Sequence, residues 1–132
     1  FGDTAALKDL EAILHPLVRD AERRFLQRAR RARKPVVAID IPLLFETKGE
    51  GRCDAVWVAS APRAIQSQRV LRRPGMTRDR LDAIRARQIP DAAKRKRADV
   101  VIPTGLGRRF AWNHVVRGLA RLKLRKPENS DA

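Results

Sequence analysis

Residue types that carry much of protein chemistry are scarce in this 132-residue chain. Cys53 is its one cysteine, which excludes an intrachain disulfide and a cysteine-based metal site. The two histidines, His15 and His114, lie far apart and in no metal-ligand spacing. Without tyrosine, and with four phenylalanines and two tryptophans, the chain offers few rings on which nucleic-acid bases stack. This composition favours a reducing, cytoplasmic setting and predicts no metal site built from protein side chains.

Long hydrophobic runs are also lacking. No apolar stretch approaches the roughly 18 residues that span a bilayer, and residues 1–4 do not resemble a signal peptide. Hydrophobic residues nevertheless make up 43% of the chain, which is typical of one folded domain rather than a disordered segment. The single methionine, Met76, is internal, so we expect the chain to be part of a longer protein.

Positive charge, in contrast, is abundant. The formal net charge is +15, with 30 lysines and arginines against 15 acidic residues. This balance favours an anionic partner, which can be a nucleic acid, a membrane surface or a phosphorylated small molecule. Most of the basic residues are arginines, and such a bias can also arise from a GC-rich gene. Charge alone therefore leaves open whether the chain binds a polyanion.

Three apolar runs without alternation predict buried strands of a parallel sheet. These strands are expected at Pro35–Ile41, Asp54–Ala59 and Asp99–Ile102. Further helical segments are predicted at Pro62–Arg73, Thr77–Gln88 and Asp91–Ala98, and a last amphipathic helix at about Arg108–Leu124. In the last of these helices, the side chains expected to face inward are Ala111, Val115, Val116, Leu119 and Leu122. Strands that alternate with helices indicate an α/β architecture with a parallel sheet.

The N-terminal region is predicted to form two helices that are interrupted at His15-Pro16. The first covers Ala5–Leu14, and the second runs from Pro16 to about Arg33, because proline suits the first turn of a helix. Apolar residues at spacings of three and four predict a buried stripe on the second helix, formed by Val18, Ala21, Phe25, Ala29 and Ala32. The arginines around that stripe are expected to be solvated.

Two acidic residues follow the first predicted strand closely. Ligands of open parallel sheets bind beyond the carboxyl ends of the strands, which is where Asp40 and Glu46 fall. Asp40 leaves a buried strand, so it is suited to order a magnesium ion, a water molecule or a hydroxyl group. It is equally suited to cap a turn, and spacing alone leaves both interpretations open.

A cluster of arginines occupies the next two predicted helices. Arg69 and Arg73 lie four residues apart on one helix face, and further arginines surround the loop at Pro74-Gly75-Met76. Because arginine offers paired donors to phosphate oxygens, a helix–loop–helix of this kind suits a mobile lid over a triphosphate. A solvated basic surface is the alternative interpretation.

Four sequence motifs follow one another along nearly the whole chain. They are Leu10–Arg19 with its central His-Pro, Asp40–Glu46 (D-I-P-L-L-F-E), Arg73–Thr77 (R-P-G-M-T) followed by Ala86-Arg87-Gln88, and Lys94–Asp99 (K-R-K-R-A-D). The second motif is similar to the signature D-[IV]-P-L-L-[FY]-E. In this order, the motifs together resemble the dephospho-CoA kinase family.

The resemblance implies a P-loop nucleotide-kinase-like three-layer fold, with a parallel sheet and a helical lid, that is incomplete at the N-terminus. It implies transfer of the γ-phosphate of ATP, with Mg²⁺, to the ribose 3′-hydroxyl of dephospho-CoA, the final step of CoA biosynthesis. The partners are then ATP and dephospho-CoA, with no membrane and no more than non-specific binding to nucleic acid. By position, the implied site residues are His15, Leu44, Phe45 and Glu46 for substrate binding, Asp40 and Arg73 for catalysis, and Arg69, Arg73 and Arg78 for the ATP lid.

The resemblance also implies a division of the chain into five segments. These are acceptor-side helices (1–34), core strands with the D-I-P-L-L-F-E loop (35–61), a helical lid region (62–98), the last strand with the C-terminal helix (99–125) and a polar tail (126–132).

The chain departs from the family pattern at several points. Ile84 stands where many members carry arginine, and Pro103 stands where a polar residue often follows the last strand. No G-x-x-x-x-G-K-[ST] motif occurs, so the β- and γ-phosphates of ATP lack their usual backbone cradle. We therefore expect this chain by itself to be inactive. A basic nucleic-acid-binding module and a non-catalytic scaffold derived from a kinase are the alternative hypotheses.

Overall fold

A computed structural model describes residues 4–124 of the chain. They form two compact units, one ending at Ile41 and the other beginning at Pro42. In chain order, the elements are α1 (Thr4–Arg31), a short 3₁₀ turn (Glu50–Arg52), β1 (Trp57–Ser60), α2 (Arg63–Leu71), α3 (Arg78–Ala86), α4 (Asp91–Arg97), β2 (Val100–Pro103) and α5 (Arg108–Leu124). Within residues 4–124, no helix combines the length and the apolarity needed to cross a bilayer.

The first unit contains α1, a single helix of 28 residues that passes through Pro16. The predicted break at His15-Pro16 is therefore wrong. A proline inside a helix removes one backbone hydrogen bond and crowds the carbonyl group four residues earlier, here that of Ala12. The φ angle that its ring imposes is nevertheless close to helical, and the leucines, alanines and arginines on both sides favour helix. The helix therefore continues across this local defect.

The predicted buried stripe of α1 is also wrong. Val18 is 60% exposed and Phe25 is 43% exposed, and Ala21 and Ala32 are exposed as well. Only Ala29 of the five predicted positions is half-buried. Periodicity identifies which face of a helix is apolar, but burial requires a second element that packs against that face.

The first predicted strand, Pro35–Ile41, is not a strand in this structure. Its side chains are largely accessible, with Val36 41% exposed and Ile39 40% exposed. A strand exists through hydrogen bonds to a neighbouring strand, and in the described part of the chain β1 and β2 pair only with each other. An apolar run alone therefore does not make a strand here.

The second unit is built on a parallel pair of strands. β1 and β2 pair in register from Trp57 opposite Val100 to Ser60 opposite Pro103. The connection between them runs through α2, α3 and α4, which is the crossover that parallel strands require. α4 packs on β1, α5 packs on β2, and α2 packs with α3. The predictions of these two strands and of the helices from α2 to α5 are confirmed, with small differences at their ends.

The core of the second unit lies around β1. Phe45, Val56 and Val58 form its buried cluster, and Leu44, Ile89 and Ala98 pack against them. On α5, four of the five predicted inward side chains are half-buried, whereas Val116 is 47% exposed. Gly118 of α5 is buried where a Cβ atom would lie 2.8 Å from the ring of Trp57, so this helix can approach the sheet only with glycine there. The predicted tail at 126–132 lies outside the described residues.

Candidate functional site

A cleft opens at the carboxyl ends of β1 and β2, with a volume of about 320 Å³. The segments that follow both strands and the helices between them supply its walls. Its polar lining consists of Gln66, Arg69, Arg73, Gln88, Asp91, Lys94 and Thr104. Parallel sheets bind ligands at this edge, because the loops that leave the strands converge there. We call this site the strand-end cleft.

Arg69 and Arg73, the two arginines predicted for the lid, both line the strand-end cleft. They are one turn apart on the last part of α2 and just beyond it. The Arg69 guanidinium donates to the backbone carbonyl oxygen of Thr104 at 2.7 Å and to its hydroxyl oxygen at 3.4 Å. Arg73 has no side-chain hydrogen bond or ion pair to another residue within 4–124. The structure thus gives the two arginines different surroundings.

Arg78, the third predicted lid residue, is the exposed first residue of α3 and does not line the strand-end cleft. The loop before it turns through Gly75, whose φ of 72° is costly for other residues. Thr77 caps α3 by accepting a hydrogen bond from the backbone N–H of Arg80. The structure therefore brings Arg69 and Arg73 together and leaves Arg78 at the start of the next helix.

Arg85 follows Ile84, one of the positions at which the chain departs from the family pattern, and its side chain contacts α2. Its guanidinium donates to the hydroxyl of Ser67 at 2.8 Å and to the backbone carbonyl of Arg63 at 3.4 Å, both on α2. Ile84 is 40% exposed. Arg85 thus holds α3 against α2 rather than lining the strand-end cleft.

Glu46 and Lys94 form a largely buried ion pair next to the strand-end cleft. The Lys94 ammonium lies 2.7 Å from Oε1 of Glu46, and the two side chains are 18% and 13% exposed. The same oxygen accepts a hydrogen bond from the backbone N–H of Ile89 at 2.9 Å. Burial raises the pKa of Glu46, but the hydrogen bonds from Lys94 and Ile89 and the charge of Lys94 outweigh it, so this pKa lies below its usual 4.5. Glu46 is therefore ionised at neutral pH.

Two neighbours of Glu46 in the D-I-P-L-L-F-E motif lie inside the second unit. Phe45 is 5% exposed, and the guanidinium of Arg97 lies 4.4 Å from the centre of its ring. Arg97 also pairs with Glu50. Leu44 packs against the core, and its side chain leaves no room for a Cβ atom at Gly49. In this structure, the part of the motif after Pro42 packs on the core and contacts α4.

His15 and Asp40, the other two predicted site residues, belong to the first unit. His15 lies in α1 and Asp40 in the segment after it, and both side chains are exposed. Neither side chain makes a hydrogen bond or ion pair with another residue in the described range 4–124. Both are therefore accessible to a ligand.

Several cleft residues were not predicted as site residues. Gln88 and Lys94 occur within the motifs of the resemblance, so the sequence contained a signal for them. The sequence contained no such signal for Asp91 and Thr104, because their places in the cleft depend on where the strands end. The Ser60 hydroxyl donates to the Asp91 carboxylate at 2.8 Å, and the Thr104 hydroxyl donates to the Ser60 carbonyl at 3.0 Å. The first bond ties the end of β1 to the start of α4, and the second ties it to the residue that follows β2.

The donor groups of the strand-end cleft fit a phosphate-bearing ligand. Three cationic side chains line it, from Arg69, Arg73 and Lys94. Within residues 4–124, no three His, Cys, Asp or Glu side chains lie close enough to hold a metal ion. Mg²⁺ in phosphoryl-transfer sites is held largely by substrate phosphates and water, with one or two protein carboxylates. Asp91 supplies the one carboxylate among the lining residues of the strand-end cleft, so the protein offers few oxygen ligands there.

Comparison with known proteins agrees with this arrangement. The family model for dephospho-CoA kinase matches residues 1–106. The chain is 68% identical over 95 residues to a dephospho-CoA kinase of Paramagnetospirillum magneticum, covering 72% of this chain and 45% of the relative. It is 61% identical over 111 residues to a dephospho-CoA kinase of Rhodospirillum rubrum, covering 84% of this chain and 53% of the relative. The chain thus spans about half the length of the curated relatives it matches.

A solved structure has a fold similar to that of this chain. The crystal structure of TT1252 from Thermus thermophilus matches with a TM-score of 0.75 and 34% identity. The match covers 92% of this chain and 62% of the solved chain. The predicted α/β fold with a parallel sheet, of the P-loop nucleotide-kinase type, is confirmed. The chain belongs to the dephospho-CoA kinase family.

Proposed function

We propose that the protein containing this chain transfers the γ-phosphate of ATP to the ribose 3′-hydroxyl of dephospho-CoA. The observation that carries this proposal is the pair of guanidiniums, Arg69 and Arg73, at the carboxyl ends of two parallel strands in a chain of this family. Phosphoryl transfer needs positive groups that are held in place where charge develops on the phosphates. The strand-end cleft supplies such groups.

The two arginines have distinct roles in this proposal. Arg69 is held by Thr104 and provides fixed positive charge at the end of β2. Arg73 has no side-chain partner within residues 4–124, so its fork is available to two phosphate oxygens at once. Arg78 belongs to the same lid through α3 and approaches the phosphates when the lid closes over them. Mg²⁺, when bound with ATP, supplies further neutralisation of the phosphate charge.

The remaining motif residues are assigned to the acceptor substrate. His15 and Asp40 are exposed side chains without partners in the described part of the chain, which supports a direct contact with dephospho-CoA. Asp40 is the acid that orders magnesium or accepts the proton of the ribose hydroxyl. Leu44 and Phe45 shape the acceptor-binding side through their packing. Glu46 contributes to the same side through its contacts with Lys94 and Ile89.

The segment division at 1–34, 35–61, 62–98, 99–125 and 126–132 is part of the same proposal. The helices up to residue 34 serve the acceptor, and the helices between residues 62 and 98 serve as the lid. A cytoplasmic setting suits a chain with one exposed thiol, Cys53.

The test uses the protein encoded by the complete reading frame that contains these 132 residues. With ATP, Mg²⁺ and dephospho-CoA it is expected to form CoA, identified by mass spectrometry with the new phosphate located on the 3′-oxygen. CoA itself, whose 3′-oxygen is already phosphorylated, is the matched control and is expected to give no product. The 132-residue chain alone is expected to form no CoA, because it contains no G-x-x-x-x-G-K-[ST] motif. A complete protein that forms no CoA would refute the proposal.

A further inference from the structure

Lys94 has donors that the protein does not use. A lysine ammonium carries three N–H donors. Within residues 4–124, its one side-chain partner is Oε1 of Glu46, at 2.7 Å. Lys94 also lines the strand-end cleft and is 18% exposed. Two of its donors are therefore free at the wall of a cleft that already contains two guanidiniums.

Glu46 restricts where that ammonium can lie. A lysine side chain is flexible, and it loses about 2 kcal/mol of rotamer freedom when it is fixed. The Glu46 carboxylate is itself fixed, because Oε1 accepts the backbone N–H of Ile89 and the side chain is 13% exposed. Ile89 follows the cleft residue Gln88 and precedes α4, which carries Lys94. One carboxylate oxygen thus holds both the lysine and the segment that leads into its helix.

We propose that Lys94 binds a phosphate oxygen of a substrate in the strand-end cleft and that Glu46 is its positioning residue. This inference rests on the proposed function and adds two roles to it. The implied role of Glu46 was a contact with the acceptor, whereas its observed partners are protein groups. Its negative charge holds the Lys94 ammonium in place, and two donors remain for the ligand. The phosphate belongs either to the triphosphate of ATP or to the pyrophosphate of dephospho-CoA.

The contacts of α4 distinguish Lys94 from its basic neighbours. Arg97, on the same helix, pairs with Glu50 and lies over the ring of Phe45, so its guanidinium already has partners within the protein. Lys96 is exposed and does not line the strand-end cleft. Lys94 alone among these three residues joins a buried carboxylate to the cleft.

The experiment uses steady-state kinetics of the complete protein with ATP and dephospho-CoA varied separately, and direct titration with each of the two substrates. Lys94→Met keeps the apolar stem and removes the ammonium. We expect kcat/KM to fall about tenfold to a hundredfold for the substrate whose phosphate is bound, the scale of one charge-assisted hydrogen bond. A fall for ATP, with weaker ATP binding in the titration, assigns the nucleotide, and a fall confined to dephospho-CoA assigns the acceptor. Lys94→Arg should recover part of the loss, and Lys96→Met is the control that should behave as wild type.

The role of Glu46 is tested by a double-mutant cycle. Glu46→Gln keeps the shape and the acceptor for Ile89 but weakens the hold on Lys94, so kcat/KM for the same substrate should fall. In the Lys94→Met background the same change should have no further effect, because there is no ammonium to position. The double variant leaves no unpaired buried charge, so its kcat/KM still reports the loss of the Lys94 ammonium if Lys94→Met alone is unstable. Equal losses from Glu46→Gln with and without Lys94 would overturn the positioning role.

The outcomes separate this inference from the proposed function. If CoA forms and Lys94→Met has wild-type kinetics for both substrates, the inference is wrong and the proposed function stands. If no CoA forms, titration with ATP and with dephospho-CoA still reports on Lys94. Weaker binding of either substrate to Lys94→Met than to Lys96→Met would then support the phosphate contact, and equal binding of both substrates would overturn it.

Discussion

Arg69 and Arg73 are expected to respond differently to the same conservative change. Lysine at either position keeps the positive charge but loses the planar fork that binds two oxygens. Arg69 also holds the end of β2 through Thr104, whereas Arg73 has no side-chain partner in the described part of the chain. One substitution therefore removes a contact within the protein together with a ligand contact, and the other removes the ligand contact alone.

The size of each effect follows from these contacts. Of the two bonds that Arg69 makes, the one at 2.7 Å is short and charge-assisted, and the one at 3.4 Å is weak. Because Arg69 is exposed, water screens the interaction, and we expect Arg69→Lys to lower the free energy of unfolding by about 1 kcal/mol. Arg73→Lys should change it by less than about 0.5 kcal/mol, as for surface substitutions without partners.

Activity should fall in both variants. An arginine that neutralises charge on a transferring phosphoryl group contributes as much as about 10³–10⁵ in rate. Replacement by lysine should therefore lower kcat at least about tenfold, with a smaller effect on the KM for dephospho-CoA. Arg72→Lys is the matched control, because Arg72 is exposed at the end of α2 and does not line the strand-end cleft.

The assay combines thermal unfolding and steady-state kinetics of the complete protein. A loss of about 1 kcal/mol corresponds to a few degrees in Tm for a protein of this size. We expect Arg69→Lys to lower both Tm and kcat, Arg73→Lys to lower kcat alone, and the control to change neither. Wild-type kcat in both variants would mean that the two arginines form a solvated surface and do not act in catalysis. Equal losses of Tm in both variants would contradict the contacts assigned to Arg69.

Three further predictions concern single features of the chain. Asp40→Asn in the complete protein should lower kcat by about two orders of magnitude or more, the scale of one electrostatic or acid–base group, whereas a lower Tm with unchanged kcat would identify a structural cap. The pKa of Glu46 is lowered on folding, so the stability it contributes is present above its unfolded value near 4.5 and is lost as the pH falls below it. Tm should therefore decline less steeply below pH 4.5 in Glu46→Gln than in wild type, and parallel curves would contradict this linkage. Binding of the chain to duplex DNA, followed by fluorescence anisotropy at physiological salt, should be non-specific, with a Kd of about 10⁻⁴–10⁻⁶ M, whereas sub-nanomolar sequence-dependent binding would favour the nucleic-acid hypothesis.

Local sequence patterns predicted the elements that need only local information. The helices α2 to α5 were predicted from short-range sequence patterns, and α5 has apolar residues at helical spacing over 17 residues. The strands β1 and β2 are short apolar runs that were predicted correctly because each has a parallel partner in the same unit. The run at Pro35–Ile41 has the same composition and was predicted wrongly, since composition does not supply the partner.

Position in the motifs predicted part of the candidate site. The four-residue spacing of Arg69 and Arg73 predicted that they lie together, and both line the strand-end cleft although Arg73 is two residues beyond the end of α2. The sequence did not predict that Thr104 would hold one of them and leave the other free. That difference depends on where β2 ends relative to α2, a distance between segments about 35 residues apart along the chain.

The sequence by itself determined the family, the α/β class and the apolar faces of α1 and α5, because these follow from composition, periodicity and the order of motifs. Tertiary structure decided which apolar faces are covered and which charges far apart in the sequence are paired. Phe45 and Val18 are both apolar residues in predicted site or core segments, yet one is 5% exposed and the other 60%. Glu46 and Lys94 meet across 48 positions because the loop after Pro42 packs against α4 beside β1. Burial and ion pairing depend on such long-range packing, which local sequence does not encode.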